Sequence, residues 1–415
     1  MSVLGAKLIS MTTTKSPPPY ITVSSLDFYR GVMPVIVFLS HAAIWTGCVK
    51  QLHVVVVAGG LAVDVFIFIS GFLMLWHYLD RELSEPWNVS QTWLLFWLRR
   101  LFRLAPLYWF LLILVFGFLP QWTDWSEEFY HAFQLPWHDG IWDPNRVDSS
   151  RSLGNVLSHF SFVFGVIPKF ASNNPLPDWS IGLEMQFYLA FPFLALGIQR
   201  FGWRLIVLGC VIIWIICLKQ IHVGLLATPG PWGWFPMATF LPLRIGGFVS
   251  GMLIAHALAR NTPNRFALAA ILASLALAGW HNKYLIAPVL AFVLWEWINR
   301  KAVWPEWLNQ SVNLATSFLQ TKPVQFIADC SYGVYLWHML VLLACMRWLV
   351  DLGLYRGRTP LERFGILVVI ALPLIYLIAW LSFHWIERPG IRLGKAVIKR
   401  IRKLQPTPCT ADSNT

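Results

Sequence analysis

Residues 28–45 read FYRGVMPVIVFLSHAAIW, an apolar run entered by an arginine, Arg30, and carrying a histidine, His41, near its far end. The run is long enough and apolar enough to be a membrane helix. On such a helix the eleven-residue separation puts the two side chains within roughly 20° of one face and about 16 Å apart along the axis. A fixed cation then stands at the membrane edge and an imidazole near mid-bilayer, where an ionisable group is costly and points to function. An isolated histidine bonded to a neighbouring helix is the plainer alternative.

The rest of the chain is of the same kind. Of 415 residues, 57% are hydrophobic and 13% charged, and the mean hydropathy is +0.58, so an all-α, polytopic membrane helix bundle is expected rather than a soluble domain. Apolar stretches of membrane length number about ten, near 30–48, 54–78, 104–120, 179–198, 204–221, 236–258, 266–281, 284–299, 326–349 and 364–386. The net charge of +12 sits at alternate ends of these stretches, as topology determinants do, so nucleic acid is excluded as a partner. The positive-inside bias places both termini in the cytoplasm. The expected organisation is a disordered tail over 1–26, a membrane domain over 27–390 and a basic, then polar, tail over 391–415. No compact signal-peptide core precedes the first span. Cys48, Cys210, Cys217, Cys330, Cys345 and Cys409 form no CxxC pair and read as packing residues.

The longest outer segment, 121–178, mixes acids with Trp122, Trp125, Trp137, Trp142, His131 and His138. Tryptophan beside carboxylate suits a sugar face, and an interfacial helix has the same composition.

Several spans carry polar residues in helical register. Residues 59–76, GGLAVDVFIFISGFLMLW, place Asp64 and Ser70 in an apolar helix, and a lone intramembrane aspartate needs a partner. In residues 92–109, TWLLFWLRRLFRLAPLYW, Arg99, Arg100 and Arg103 precede Pro106, taken as the start of the third span. Arg99 and Arg103 share a face, and three guanidiniums there fit a polyphosphate or, equally, lipid phosphates. At residues 177–193, PDWSIGLEMQFYLAFPF, Trp179 is followed by Ser180, Glu184 and Tyr188 at i, i+4 spacing, a polar stripe suited to an acceptor hydroxyl, with Arg244 as one candidate partner for Glu184. Residues 329–341, DCSYGVYLWHMLV, bring Ser331, Tyr332, Tyr335 and His338 onto one face near the inner side, where a donor would enter. The last span closes on Glu387, Arg388 and Pro389, the proline read as its stop.

Taken together, the Arg30–His41 pair, GxxVDxFxxxSGF, RRxxRxxPxYW, WSxxxExxFY, SYxxYLxH and the closing ERP resemble the membrane acyltransferase-3 family from about Asp27 to Pro389. Gly182, Leu183 and Met185 depart from its usual pattern without touching Glu184. The resemblance implies transfer of an acyl group, commonly acetyl, from a cytoplasmic acyl-CoA to a hydroxyl of a glycan, oligosaccharide or other small acceptor such as a macrolide. Arg30 and His41 match the family's essential pair. The basic tail after the last span resembles the stand-alone type, without a fused extracytoplasmic domain.

The expected site therefore has His41, Arg30, Glu184 and Asp64 as catalytic groups. Arg99, Arg100, Arg103, Ser331, Tyr332 and His338 are expected on the acyl donor, and Trp179, Ser180 and Tyr188 on the acceptor. His41 serves as general base or as a transient acyl carrier, with no metal and no permanently bound cofactor, acyl-CoA being a co-substrate. A bacterial inner membrane is the expected location, with membrane lipids as neighbours and the oligomeric state, homo-oligomer included, open. The rival from another class is a proton-coupled transporter or flippase relaying protons through His41, Asp64, Glu184 and His338.

Overall fold

The structure is a computed structural model describing residues 24–82, 84–133, 135, 152–171, 173–224, 230–259, 264–300 and 305–403. Residues 1–23 and 404–415, together with Trp137, His138 and Trp142, lie outside the described residues.

Thirteen helices follow in order among the described residues: α1 (Ser24–Trp45), α2 (His53–Arg81), α3 (Ser90–Gly117), α4 (Leu119–Phe133), α5 (Leu153–Phe160), α6 (Trp179–Gln220), α7 (Ile245–Ala259), α8 (Asn264–His281), α9 (Ile286–Arg300), α10 (Glu306–Leu319), α11 (Lys322–Asp351), α12 (Pro360–Ser382) and α13 (Arg388–Lys403). The described strands are two residues each, β1 (His222–Val223) and β2 (Trp234–Phe235), paired in parallel. The bundle is helical, as the hydropathy pattern requires.

Six helical stretches among the described residues are long and apolar enough to cross a membrane: α1, α2, α3, α6, α11 and the continuous run of α12 into α13. Two of the expected spans share α6, which breaks at Gly202 (φ 81°, ψ 163°). Three others lie on α7, α8 and α9, whose 15, 18 and 15 residues reach only about 23–27 Å at 1.5 Å per residue, short of a hydrocarbon core of about 30 Å.

Two boundaries were misplaced by proline. Pro106 lies inside α3, which begins at Ser90, so the three arginines stand within the helix rather than ahead of it. Pro389 stops nothing either. A π turn over Phe383–Glu387 joins α12 to α13, and Pro389 follows it within the continuous helical run, at a point where the regular i→i−4 ladder is already interrupted. The segment taken for a plain basic tail thus begins as a helix. In the long loop, residues 119–133 are the helix α4.

Packing follows from small residues. At the α2–α7 crossing a Cβ added to Gly71 would stand 2.0 Å from the Phe248 carbonyl oxygen, and one on Gly251 2.0 Å from that of Phe68. Only glycine lets the two backbones meet this closely, and dispersion over the contact replaces the hydrophobic drive that lipid cannot supply. The larger apolar core joins α2, α3, α6 and α7 through Phe68, Phe72, Tyr108, Phe187 and Phe248. A second core joins α1, α11 and α12 through Phe38, Val334, Leu342 and Ile375. The described cysteines are buried and free.

Candidate active site

A cavity of about 610 Å³ is lined by residues of the larger core together with polar side chains of α1, α2, α3, α6, α11 and α13. Helix α1 contributes Arg30 from its second turn, α3 contributes Arg100 and Arg103, and α2 contributes Ser70 and His77, seven residues apart and so on one face. From α6 come Ser180, Glu184 and Tyr188, and from α11 Asp329, Ser331, Tyr332 and Tyr335. Helix α13 closes the wall with Arg388, Arg392 and Lys395. It lies tightly on α3, since a Cβ on Gly390 would meet Pro106 at 2.5 Å and one on Gly394 would meet Phe102 at 2.6 Å.

Charge in the lining is unbalanced: six basic side chains face two carboxylates, Glu184 and Asp329. Glu184 accepts from Ser70 Oγ at 3.1 Å and from the Tyr188 hydroxyl. The Arg100 guanidinium lies 5.7 Å from the Phe96 ring centre and 5.6 Å from that of Tyr188, and its buried Nε has no hydrogen-bond partner. A guanidinium held flat by aromatic rings presents its remaining N–H groups to whatever enters, with little rotamer freedom to lose. Arg30 is held by Asp27 at 3.4 Å. Tyr332 donates to the Leu104 carbonyl at 2.8 Å, tying α11 to α3.

Arg99 is not part of this lining. It forms a two-pronged pair with Glu85, Nη1–Oε1 2.9 Å and Nη2–Oε2 2.5 Å, and Arg402 of α13 joins the same carboxylate. Burial acts to raise the Glu85 pKa, but the bonds and charges of Arg99, Arg402 and Arg81 outweigh it and hold the carboxyl below its ordinary value. Arg100 and Arg103, at i, i+3, are the pair that turns inward.

The opposite end of the cavity is set by the start of α6. Asp178, just ahead of the helix, accepts from Tyr108 at 2.7 Å and from Asn174 at 2.8 Å, with His159 of α5 at 3.6 Å. The Tyr335 hydroxyl donates to the Pro177 carbonyl at 2.8 Å and meets Ser180 Oγ at 2.7 Å. Tyr108 and Tyr335 lie near the middle of α3 and α11, so α6 begins deep in the bundle rather than at its surface.

Behind Tyr335 stand two histidines that do not line the cavity. His338, fully buried, meets the Tyr335 carbonyl through Nδ1 at 2.6 Å and His41 Nδ1 through Nε2 at 3.2 Å. His41 Nδ1 also meets the Val37 carbonyl, one turn back on α1, at 3.0 Å. Arg30 and His41 therefore flank the site differently: the arginine lines the cavity, and the histidine connects to it through His338 and Tyr335.

Asp64 belongs to another cluster. It accepts from Arg244 at 2.7 Å, His281 at 3.0 Å and Asn282 at 2.7 Å, and the Arg244 guanidinium stands 5.7 Å from the Trp179 ring centre. Arg244 thus pairs with Asp64 rather than with Glu184, and Trp179 faces this cluster.

A family model described as an acyltransferase domain matches residues 23–380. The chain belongs to the acyltransferase-3 family. Curated relatives of this family member include the peptidoglycan O-acetyltransferase OatA of Listeria monocytogenes, 23% identical over 356 residues, covering 80% of this chain and 51% of the relative. The putative peptidoglycan O-acetyltransferase YrhL of Bacillus subtilis is also 23% identical, over 80% of this chain and 50% of its own. The O-acetyltransferase OatA of Staphylococcus aureus is 25% identical, over 81% and 53%. The chain therefore spans about half the length of the curated relatives it matches. No solved structure matches it.

Among the site residues expected from the sequence, Arg30, Arg100, Arg103, Ser180, Glu184, Tyr188, Ser331 and Tyr332 share the cavity lining. His41 and His338 pair behind it, Asp64 and Trp179 lie at the second cluster, and Arg99 faces Glu85. His77, Asp329, Arg392 and Lys395 were missed. His77 shares a helix face with Ser70, a signal present in the sequence. Arg388, Arg392 and Lys395 follow an i, i+4, i+7 pattern hidden by reading Pro389 as a terminator.

Proposed function

We propose that this chain is an integral membrane O-acyltransferase that moves an acyl group, acetyl first among candidates, from acyl-CoA to a hydroxyl of a glycan or small acceptor. The observation that carries the reading is the unbalanced charge of the cavity: six cations against two carboxylates, around Arg100 with an unpartnered guanidinium nitrogen. Such a lining attracts a polyanion, and guanidiniums bind phosphate with two parallel bonds. A CoA phosphate group held by Arg100, Arg103, Arg388 and Arg392 would leave the thioester to extend toward Ser180 and Tyr335. In this reading the basic end faces the cytoplasm, where acyl-CoA resides, and the membrane is the inner membrane of a bacterium. The names of the relatives, O-acetyltransferases of peptidoglycan in two cases, favour acetyl and a glycan hydroxyl.

The chemistry balances without a further reactant. His41 takes the proton of the acceptor hydroxyl as its oxygen forms a bond to the thioester carbonyl carbon. The resulting oxyanion is met by neighbouring donors, with the Tyr335 and Ser180 hydroxyls and Arg30 as candidates. The C–S bond then breaks, and the proton passes from His41 to the departing thiolate, giving the ester and free CoA. For His41 to reach the acceptor, the cavity lining at Tyr335 must open, and Glu184 orients the acceptor from within the cavity. A proton-coupled transporter draws no support from the arrangement, because Asp64 and Glu184 sit in separate hydrogen-bonded groups.

Native membranes incubated with radiolabelled acetyl-CoA provide the test. Label should pass to an acceptor with the wild-type chain and not with His41→Ala. A folded, fully active His41→Ala protein removes the assignment, as does acyl-independent, ion-driven uptake by the purified chain. Mass spectrometry of surface glycans with and without the chain would identify the acceptor by its missing acyl mass.

A further inference from the structure

His338 is enclosed, is not part of the cavity lining, and bonds to backbone carbonyls of its own helix and to another imidazole. A donor-binding role does not fit that placement. The hydrogen bonds do define a chain with a direction. A carbonyl oxygen can only accept, so the contact from His338 Nδ1 to the Tyr335 carbonyl at 2.6 Å requires the proton on Nδ1. Among the described residues no carboxylate meets His338, so a second proton would place an uncompensated cation in a closed apolar site. His338 is therefore neutral, and its Nε2 carries a lone pair. That lone pair faces His41 Nδ1 at 3.2 Å. His41 Nδ1 also faces the Val37 carbonyl at 3.0 Å, which again can only accept. Both neighbours of His41 Nδ1 are acceptors, so the His41 proton is on Nδ1 and its Nε2 is left basic.

We propose that His338 is a positioning residue that fixes the tautomer and ring orientation of His41, so that Nε2 of His41 is the atom offered to the acceptor hydroxyl. This rests on the reading of His41 as the base. The order is Tyr335 carbonyl, His338, His41, acceptor, with a neutral imidazole filling the place that a carboxylate fills in a hydrolase triad. As His41 gains the acceptor's proton on Nε2, its Nδ1–H becomes a stronger donor and the His338 lone pair meets the developing charge. Because Tyr335 both holds His338 and forms the wall against the cavity with Ser180, the same residue couples the base to the room in which the donor lies.

Two amides of near-equal size divide the functions of His338. Glutamine reaches the position of Nε2 and can place its carbonyl oxygen against His41 Nδ1. Asparagine reaches only the position of Nδ1, keeping the Tyr335 contact and losing His41. The experiment measures acetyl transfer from radiolabelled acetyl-CoA in native membranes carrying wild-type chain, His338→Gln, His338→Asn or His41→Ala, each normalised to folded protein by size-exclusion of the detergent extract. The expected kcat is within about tenfold of wild type for glutamine and roughly 100-fold or more below it for asparagine, with the donor KM unchanged in both. Asparagine equal to or better than glutamine overturns the inference, as does a loss expressed in donor KM. Full activity in His41→Ala overturns the base assignment itself. An inactive His41→Ala with asparagine matching glutamine overturns only the role of His338.

Discussion

Glu184 and Asp64 are both carboxylates set in apolar helices, yet their surroundings differ in kind. Asp64 receives donors on both oxygens from Arg244, His281 and Asn282, three partners drawn from distant parts of the chain. Glu184 receives two hydroxyls on one oxygen and faces an open room ringed with excess cations. The first arrangement satisfies its carboxylate from within the fold, with Arg244 Nε left without a bond, and ties α2 to the segments around α7 and α8. The second leaves charge unmet, which is the condition for binding something from outside. A polar residue within a membrane is therefore informative through what remains unsatisfied around it, and depth alone does not separate structure from chemistry.

The largest effect expected from this contrast is on stability. Asp64→Ala strips the anion from a buried pair and should cost about 3–5 kcal/mol, read as a marked fall in the thermal unfolding temperature in detergent. Glu184→Gln, which keeps an acceptor for Ser70 and Tyr188, should unfold close to wild type while losing transfer. If the two exchange phenotypes, the division between the clusters is wrong.

Next is the split among the arginines. Arg100→Ala should raise the donor KM by about 10- to 100-fold, the worth of one charge-assisted phosphate contact at roughly 1.5–3 kcal/mol. Arg99→Ala should leave that KM within about twofold, since its two bonds go to Glu85. Steady-state kinetics with acetyl-CoA checks both, and equal effects would return Arg99 to the donor site.

The smallest effect belongs to Glu85 itself. Its carboxyl is held below its ordinary value in the folded chain, so its tie to Arg99 and Arg402 contributes fully above the unfolded carboxylate pKa and is lost as pH falls through the depressed folded one. The difference in unfolding temperature between wild type and Glu85→Gln should accordingly be present at neutral pH and shrink in acid. A difference that grows in acid would contradict the sign.

Helical spacing made part of the site legible before any coordinates. Ser180, Glu184 and Tyr188 follow one another at i, i+4 and do share the cavity, and Arg100 and Arg103 arrive with them. What spacing could not supply was the identity of partners across the fold: nothing local marks Arg244 and His281 as belonging to Asp64, 180 and 217 residues away. Nor does periodicity choose which of Arg99 and Arg100 turns inward, because that depends on Glu85 standing ready on one side and the Phe96 and Tyr188 rings on the other. The helical character of the bundle was legible from hydropathy, whereas the extent of each helix was not, because a run of apolar residues does not disclose that two of them join in one helix bent at Gly202, as in α6, or that others stay as short as α7 and α9.

The π turn at Phe383–Glu387 has a consequence for how the cytoplasm-facing charge in this reading could evolve. Removing a single residue there would swing everything after it by about 100° around its axis, carrying Arg388, Arg392 and Lys395 off the opening and presenting a different flank to it. Composition and net charge would be almost unchanged, yet the entrance would lose half its basic groups. Length at that one bend, more than the count of arginines downstream, would then distinguish a chain able to admit its anionic substrate from one that is merely basic at its end.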